Sequence, residues 1–269
     1  MEQLSGMNIG FIGGGNMAEA LIRQGIAAGL DASRMWVSDI APLRLAMFDE
    51  LGMHTTGDNA EVLQQCALVM LAVKPQMLKD VLPTLQAQAQ LPVIVSILAG
   101  CTVEQLQRSL PEGTHYLRVM PNMAARVGEG MTAFSQTHTL SDQELAWAQA
   151  FFGCAGRVEL VREDLMDVVT ALIGSAPAFV CMFAEALADS AVQQGLPRQQ
   201  AYAMATQMVL GTGKILADSQ IHPAVLKDQI CSPAGTTIEG VCALENDGFR
   251  AALIHALKAT TERCRALRA

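Results

Sequence analysis

The sequence lacks the short-range patterns that signal a metal site or a disulfide framework. Its seven cysteines (Cys66, Cys101, Cys154, Cys181, Cys231, Cys242 and Cys264) are odd in number, widely spaced and never paired as C-x-x-C. Set mostly in apolar context, they read as buried thiols of a reducing compartment, and no metal is expected. Basic residues are few, 18 of 269, and form no run, while the formal net charge is -8. That balance argues against nucleic acid or an anionic membrane as a partner. The N-terminus has no basic segment leading into an apolar stretch and a cleavage site, and no apolar run approaches the roughly 18 residues of a spanning helix, so a cytoplasmic protein is expected. Histidine is confined to His54, His115, His138, His222 and His255, none in a pattern that marks a catalytic base.

What is present is apolar: 51% of residues are hydrophobic and 16% charged, enough for one large or two ordinary domains with surface left for a subunit interface. M-N-I-G-F-I (residues 7–12) reads as a strand running into G-G-G-N-M-A (13–18), after which Ala20, Leu21, Ile22 and Ile26 follow helical spacing. This matches G-x-G-x-x-A. Gly13 permits the tight turn, Gly15 lets the backbone approach a pyrophosphate, and Ala18 lets the helix pack closely. M-W-V-S-D (35–39) predicts a second strand with Asp39 at its end, where a carboxylate can accept from an adenine-ribose hydroxyl and favours NAD over NADP. Asp39 could also cap the helix that follows, and Arg44 could approach a 2′-phosphate.

The alternation continues with a helix over 42–51, a short strand near Met53, a helical turn over 59–65 and C-A-L-V-M-L-A-V (66–73), apolar throughout as a central parallel strand should be. Pro75 starts a helix to about Gln88, P-V-I-V-S-I-L (92–98) is a strand, and Thr102 caps a helix with Glu104 and Gln105 in its first turn. H-Y-L-R-V-M (115–120) is a strand leading into a loop over 121–130. The pattern predicts an α/β fold, a Rossmann-type doubly wound parallel sheet over residues 1–161.

From residue 162 to 269 an all-helical domain is expected. One long helix starts at G-S-A-P-A-F (174–179), with Ser175 as its cap and Phe179, Met182, Phe183, Ala186 and Leu187 as an apolar stripe for core or dimer interface. Further helices are expected over 198–217, 222–229 and 248–267. Between the last two lies C-S-P-A-G-T-T-I-E (231–239), where Ser232, Pro233 and Gly235 are turn and helix-start residues and Ile238, Val241, Cys242 and Leu244 begin a helical period. The first-turn amides there, with the hydroxyls of Ser232, Thr236 and Thr237, can hold a carboxylate. Taken alone, an N-cap accounts for the same residues.

Seven stretches together resemble the pyrroline-5-carboxylate reductases: F-I-G-G-G-N-M (11–17), A-V-K-P-Q (72–76), V-M-P-N (119–122), G-S-A-P-A-F (174–179), G-L-P-R-Q-Q-A-Y (195–202), H-P-A-V-L-K-D (222–228) and S-P-A-G-T-T-I-E (232–239). They span almost the whole chain in the family's order. The resemblance implies reduction of 1-pyrroline-5-carboxylate to L-proline with NADPH or NADH as hydride donor, and a homodimer assembling into a homodecamer. It implies that Ile12, Gly13, Gly14, Gly15, Asn16 and Met17 lie beneath the pyrophosphate, Asp39 near the adenosine 2′ group and Asn59 on the adenosine side. Ala72, Val73, Lys74 and Pro75, with Ile97, Leu98 and Ala99, are the implied walls around the nicotinamide. Ser232, Gly235, Thr236 and Thr237 match the carboxylate-binding turn; Thr237, whose hydroxyl meets the ring nitrogen, and Ser232 are the catalytic candidates. Glu163, with Asp164 as the alternative register, matches an acidic position near the substrate.

Several positions depart from the family: Met123 and Ala124 replace Thr-Pro, Ala176 and Ala234 replace glycines, and Leu98 replaces a common alanine. Two other readings remain at this point. A β-hydroxyacid dehydrogenase would place a catalytic lysine and asparagine on the helical domain, which Lys214 and Asp218 match incompletely. A non-catalytic dinucleotide-binding regulator would keep the fold without turnover.

Overall fold

The apolar runs form one eight-stranded sheet in the computed structural model, which describes residues 2–267. In chain order the elements are β1 (Ile9–Ile12), α1 (Asn16–Ala27), β2 (Met35–Ser38), α2 (Pro42–Asp49), β3 (His54–Thr56), α3 (Asn59–Gln65) and β4 (Leu68–Leu71). There follow α4 (Leu78–Gln86), β5 (Val93–Ser96), α5 (Val103–Ser109), β6 (Tyr116–Met120), β7 (Gly130–Ser135), α6 (Asp142–Gly153) and β8 (Gly156–Val161). The strands lie in the order β3-β2-β1-β4-β5-β6-β7-β8. β1 to β6 are parallel, so the doubly wound fold is as expected there, and the order reverses between β1 and β4. Such a reversal opens a ligand crevice at the carboxyl ends of the strands.

The far edge departs from an all-parallel sheet. A 3₁₀ turn over Met123–Val127, closed by Gly128 at φ 75°, turns the chain back so that β7 runs antiparallel to β6, with β8 parallel to β7. The segment expected as plain loop is therefore a reversal leading into two further strands.

Burial on both faces explains why β1, β4 and β5 are apolar at all but Ser96. Phe11, Met70 and Val95 point to the face covered by Phe134, Phe151 and Phe152, while Ile12, Val69, Leu71 and Ile94 point to the face covered by Val62, Leu85 and Leu106. The helices sit close: a Cβ on Gly10 would lie 2.5 Å from Val62 Cγ1.

The remaining elements are helical: α7 (Met166–Val169), α8 (Pro177–Gln193), α9 (Arg198–Ser219), α10 (Pro223–Ile230), α11 (Thr236–Asn246) and α12 (Phe249–Ala266). Ser175 is not the cap of α8. It lies inside a π-helical stretch, Thr170–Ser175, and the residue ahead of α8 is Ala176, itself in helical conformation with no side-chain cap. The wider π turn accommodates the missing N–H and the ring of Pro177, so the helix runs on through the stretch where its start was expected. Glu163–Gln193 thus forms 31 helical residues with a mean hydropathy of 1.8 over its most apolar window. That corrects the expectation that no segment is long and apolar enough to cross a membrane; by length and composition this one is.

Contacts divide the chain into two compact units, one running to Gly174 and taking in the chain end from Thr261, the other Ser175–Thr260. The expected boundary followed Val161; the division falls later because α7 packs on β7 and buries Met166, Asp167 and Ala171. Of the thiols, Cys66 and Cys101 are buried whereas Cys181 and Cys242 are exposed, contrary to the expectation of burial. Burial pushes the Cys66 thiol up to about 12.

Helix α6 opens with a reciprocal cap. Ser141 Oγ accepts from the Glu144 N–H at 3.4 Å, while the Glu144 carboxylate accepts from the Ser141 N–H at 2.8 Å and lies 2.8 Å from His115 Nδ1. Burial pushes the Glu144 carboxyl up, but hydrogen bonds from Ser141 and His115 outweigh it and hold the group below its ordinary value of 4.5. A depressed folded pKa stabilises above the unfolded value and loses that contribution as pH falls through the folded one. Glu144→Ala should therefore lower stability by about 1 kcal/mol near neutrality, and the gap from the parent should narrow in urea titrations below about pH 4.5. A gap independent of pH would refute the role of the charge.

Candidate active site

The glycine turn after β1 is built by contact with β4. After β1 the backbone takes φ 99° at Gly13, and a Cβ there would lie 2.8 Å from the backbone of Ala72 and Val73. The Gly13 N–H donates to Ser38 O at 2.8 Å, tying the turn to β2 as well. At Gly14 a Cβ would lie 2.7 Å from the Phe48 ring. Gly15 differs: it is the exposed N-cap of α1, no side chain caps it, and a Cβ would meet nothing nearer than Ala72 O at 4.0 Å. The first-turn amides of α1 thus open onto a space that a side chain on Gly15 would fill, which fits a pyrophosphate at the positive end of the helix dipole. Ala18 lies buried against the sheet, and Asn16 and Met17 flank the opening.

The reversal of strand order gathers the other expected cofactor residues at the same edge of the sheet. Asp39 follows β2; its Oδ2 accepts from the Gly14 N–H at 2.7 Å and its Oδ1 from the Ala41 N–H at 2.8 Å. Asn59 opens α3 and accepts from the Ser38 hydroxyl at 2.7 Å. Ala72 and Val73 are half-buried after β4, Lys74 and Pro75 exposed, Ile97 half-buried and Ala99 exposed after β5. The side chains of Ile12 and Leu98 are packed in the core, which leaves only their backbone to a ligand.

Three residues that sequence reasoning missed, or weighed differently, hold this loop. Arg44 Nε donates to Gly14 O at 2.6 Å, its Nη2 lies 3.0 Å from Glu19, and its guanidinium sits over the Phe48 ring at 5.5 Å. Partners separated by 25 and 30 positions leave no local pattern.

The expected substrate turn belongs to the helical unit. Between α10 and α11, Ala234 takes φ 53°, a left-handed conformation that favours glycine, the residue common in the family here. The Gly235 N–H donates to Ser232 O at 3.1 Å, and a Cβ on Gly235 would collide with Ser232 Oγ. Ser232 and Thr236 are exposed, Thr237 half-buried, and no side-chain hydrogen bond caps α11. Its first-turn N–H groups are therefore available to an anion, and capping does not account for the hydroxyls.

Glu163 belongs to the sheet unit, whereas Ser232 to Thr237 belong to the helical one. Its Oε1 lies 2.5 Å from Nη1 of Arg118, a β6 side chain only 2% exposed, and also accepts from the Val103 N–H at 3.2 Å. Oε2 of the same carboxylate is buried without a partner. Asp164, the alternative, pairs with Arg162 at the surface. The inward residue of the two is thus tied to a buried cation and to the start of α5. Lys214 is exposed on α9.

The glycine geometry predicts two contrasting variants. Gly15→Ala should fold with nearly unchanged thermal stability yet bind a dinucleotide about tenfold more weakly or worse, read by calorimetric titration. Gly13→Ala should be destabilised by about 2 kcal/mol or more, because its φ and the Ala72 backbone both oppose a Cβ. Equal dinucleotide affinity in Gly15→Ala would remove the loop from the site.

Residues 163–267 match the family model described as pyrroline-5-carboxylate reductase dimerisation, and residues 8–100 match the one described as NADP oxidoreductase coenzyme F420-dependent. The pyrroline-5-carboxylate reductase of Synechocystis is 41% identical over 97% of this chain and 98% of its own length. The solved structure of the Coxiella burnetii enzyme of that name is 31% identical, covers 98% of this chain and 99% of its own, and superposes with a TM-score of 0.90. The Plasmodium falciparum pyrroline carboxylate reductase, solved with NADP bound, is 26% identical, covers 98% and 99%, and has a TM-score of 0.85. With the glycine cradle at one end and the uncapped, hydroxyl-rich start of α11 near the other, the chain belongs to the pyrroline-5-carboxylate reductase family.

Proposed function

We propose that this chain reduces 1-pyrroline-5-carboxylate to L-proline with NADH or NADPH. The observation that carries the reading is the start of α11: a helix N-terminus with no side-chain cap and three hydroxyls, Ser232, Thr236 and Thr237, within its turn. It suits a small anionic substrate, and its family matches this chain nearly end to end.

The first-turn N–H groups of α11 and the hydroxyls of Ser232 and Thr236 hold the substrate carboxylate, while the Thr237 hydroxyl accepts from the protonated ring nitrogen. That fixes the imine carbon without a strong acid, since a protonated cyclic imine is already electrophilic. A reduced nicotinamide, when bound, supplies the hydride. Gly13 to Met17 hold the pyrophosphate, Asp39 and Asn59 the adenosine side, and Ala72 to Pro75 with Ile97 to Ala99 wall the nicotinamide half. Glu163 orders this side of the sheet unit through Arg118 and the Val103 amide.

Thr237→Ala should lower turnover about tenfold or more while leaving dinucleotide affinity nearly intact. The assay follows oxidation of NADH and NADPH with pyrroline-5-carboxylate, beside a panel of hydroxyacids. Undiminished turnover would remove Thr237 from the mechanism; hydroxyacid oxidation without imine reduction would overturn the function.

The working form in this reading is a cytoplasmic homodimer that assembles into a homodecamer. Support comes from the dimerisation-family match and from the apolar side chains left exposed on the helical unit, among them Val180, Met182, Met204, Met208 and Leu210. Light scattering after gel filtration should give a multiple of the 28.7 kDa chain mass, and a monomer would refute it.

A further inference from the structure

The peptide unit at Gly14 is gripped from both sides. Its N–H donates to Asp39 Oδ2 at 2.7 Å, and its C=O accepts from Arg44 Nε at 2.6 Å. Arg44 is in turn fastened to Glu19 at 3.0 Å, whose other oxygen accepts from Arg23 at 2.9 Å, and its flat face lies over Phe48 at 5.5 Å. Phe48 itself fills the space beside Gly14 where a Cβ would be.

Arg44 is the only cation between β2 and the first turn of α2, and the connection from β3 to α3 adds Asp58 and, on α3, Glu61 but no lysine or arginine. A 2′-phosphate in this fold is met by a cation near the end of the second strand. Here the one candidate is already committed on two edges and a face. Swinging the side chain out toward a phosphate would break the bonds of Nε to Gly14 O and of Nη2 to Glu19, loosening the loop that holds the pyrophosphate. The other exposed side chains of the connection are Ile40 (81%), Pro42 and Leu43 (87%), which offer an apolar surface to an adenine face and no donor. Each Asp39 oxygen accepts one N–H and keeps a lone pair, which can accept from a ribose hydroxyl but only repels a phosphate. Burial pushes the Glu19 carboxyl up, but the hydrogen bonds from Arg23 and Arg44 outweigh it and hold the group below its usual range, so the pair is intact at neutral pH.

We infer that Asp39 and Arg44 select the dinucleotide: Asp39 accepts the free ribose hydroxyl, Arg44 is a positioning residue of the glycine loop and not a phosphate ligand, and the preferred donor is NADH over NADPH. The inference rests on the dinucleotide-binding half of the proposed function and not on the substrate.

The test is equilibrium titration of the full chain with NADH and NADPH by nucleotide fluorescence, and with ADP-ribose and its 2′-phosphate by calorimetry, all without substrate. The parent should bind NADH about tenfold more tightly, and Arg44→Met should weaken both dinucleotides by a similar factor, leaving their ratio unchanged. A parent that binds NADPH as tightly or more tightly, or an Arg44→Met variant that loses affinity for NADPH alone, would overturn the inference. If Arg44→Met fails to fold by circular dichroism, Glu19→Gln decides: freeing the guanidinium should shift the ratio toward NADPH, and an unchanged ratio would count against it. NADH binding with no imine reduction would leave this inference standing while refuting the catalytic reading.

Discussion

The close approach of Gly13 to the backbone of Ala72 is the constraint on which the dinucleotide-binding half depends. With no room for a Cβ and a φ of 99°, the chain can leave β1, turn and enter α1 only by pressing against the end of β4. That contact sits at the reversal of strand order, so it also sets the crevice beside which Asp39, Ala72 to Pro75 and Ile97 to Ala99 follow their strands and Asn59 opens α3. The turn is then locked by polar bonds from β2 and α2: Ser38 to Gly13, Asp39 and Arg44 to Gly14. Gly15 is left unencumbered.

The helical unit uses a related device with different chemistry. The turn into α11 places Ala234 in a left-handed conformation and folds Ser232 over Gly235, so the helix begins without a side-chain acceptor. In the proposed reaction both are helix N-termini offering amides to an anion, a phosphate in one case and a carboxylate in the other. The difference lies in the company: glycines alone before α1, hydroxyls around the start of α11.

Legibility followed burial. β1, β4 and β5 were readable because they are buried at every position and apolar at all but Ser96, and the Thr102 cap because its partner is three residues away. β7 escaped notice because its buried residues are Gly130, Thr132, Ala133 and Ser135 with Phe134, which form no apolar run. The long helix through Pro177 was misjudged because G-S-A-P reads as a start signal, and nothing local announces a π turn that carries the helix past it.

By itself the sequence determined the family, the glycine turn between β1 and α1, the inner strands and the start of α11, since each is written in contiguous residues whose spacing matches one backbone geometry. Tertiary structure alone decided what the long-range charges do. Arg44 turns to Gly14 and Glu19, and Glu163 meets Arg118 from 45 positions away. The physical reason is that a charged side chain satisfies itself with whatever donor or acceptor folding brings within 3 Å, a choice no local pattern encodes.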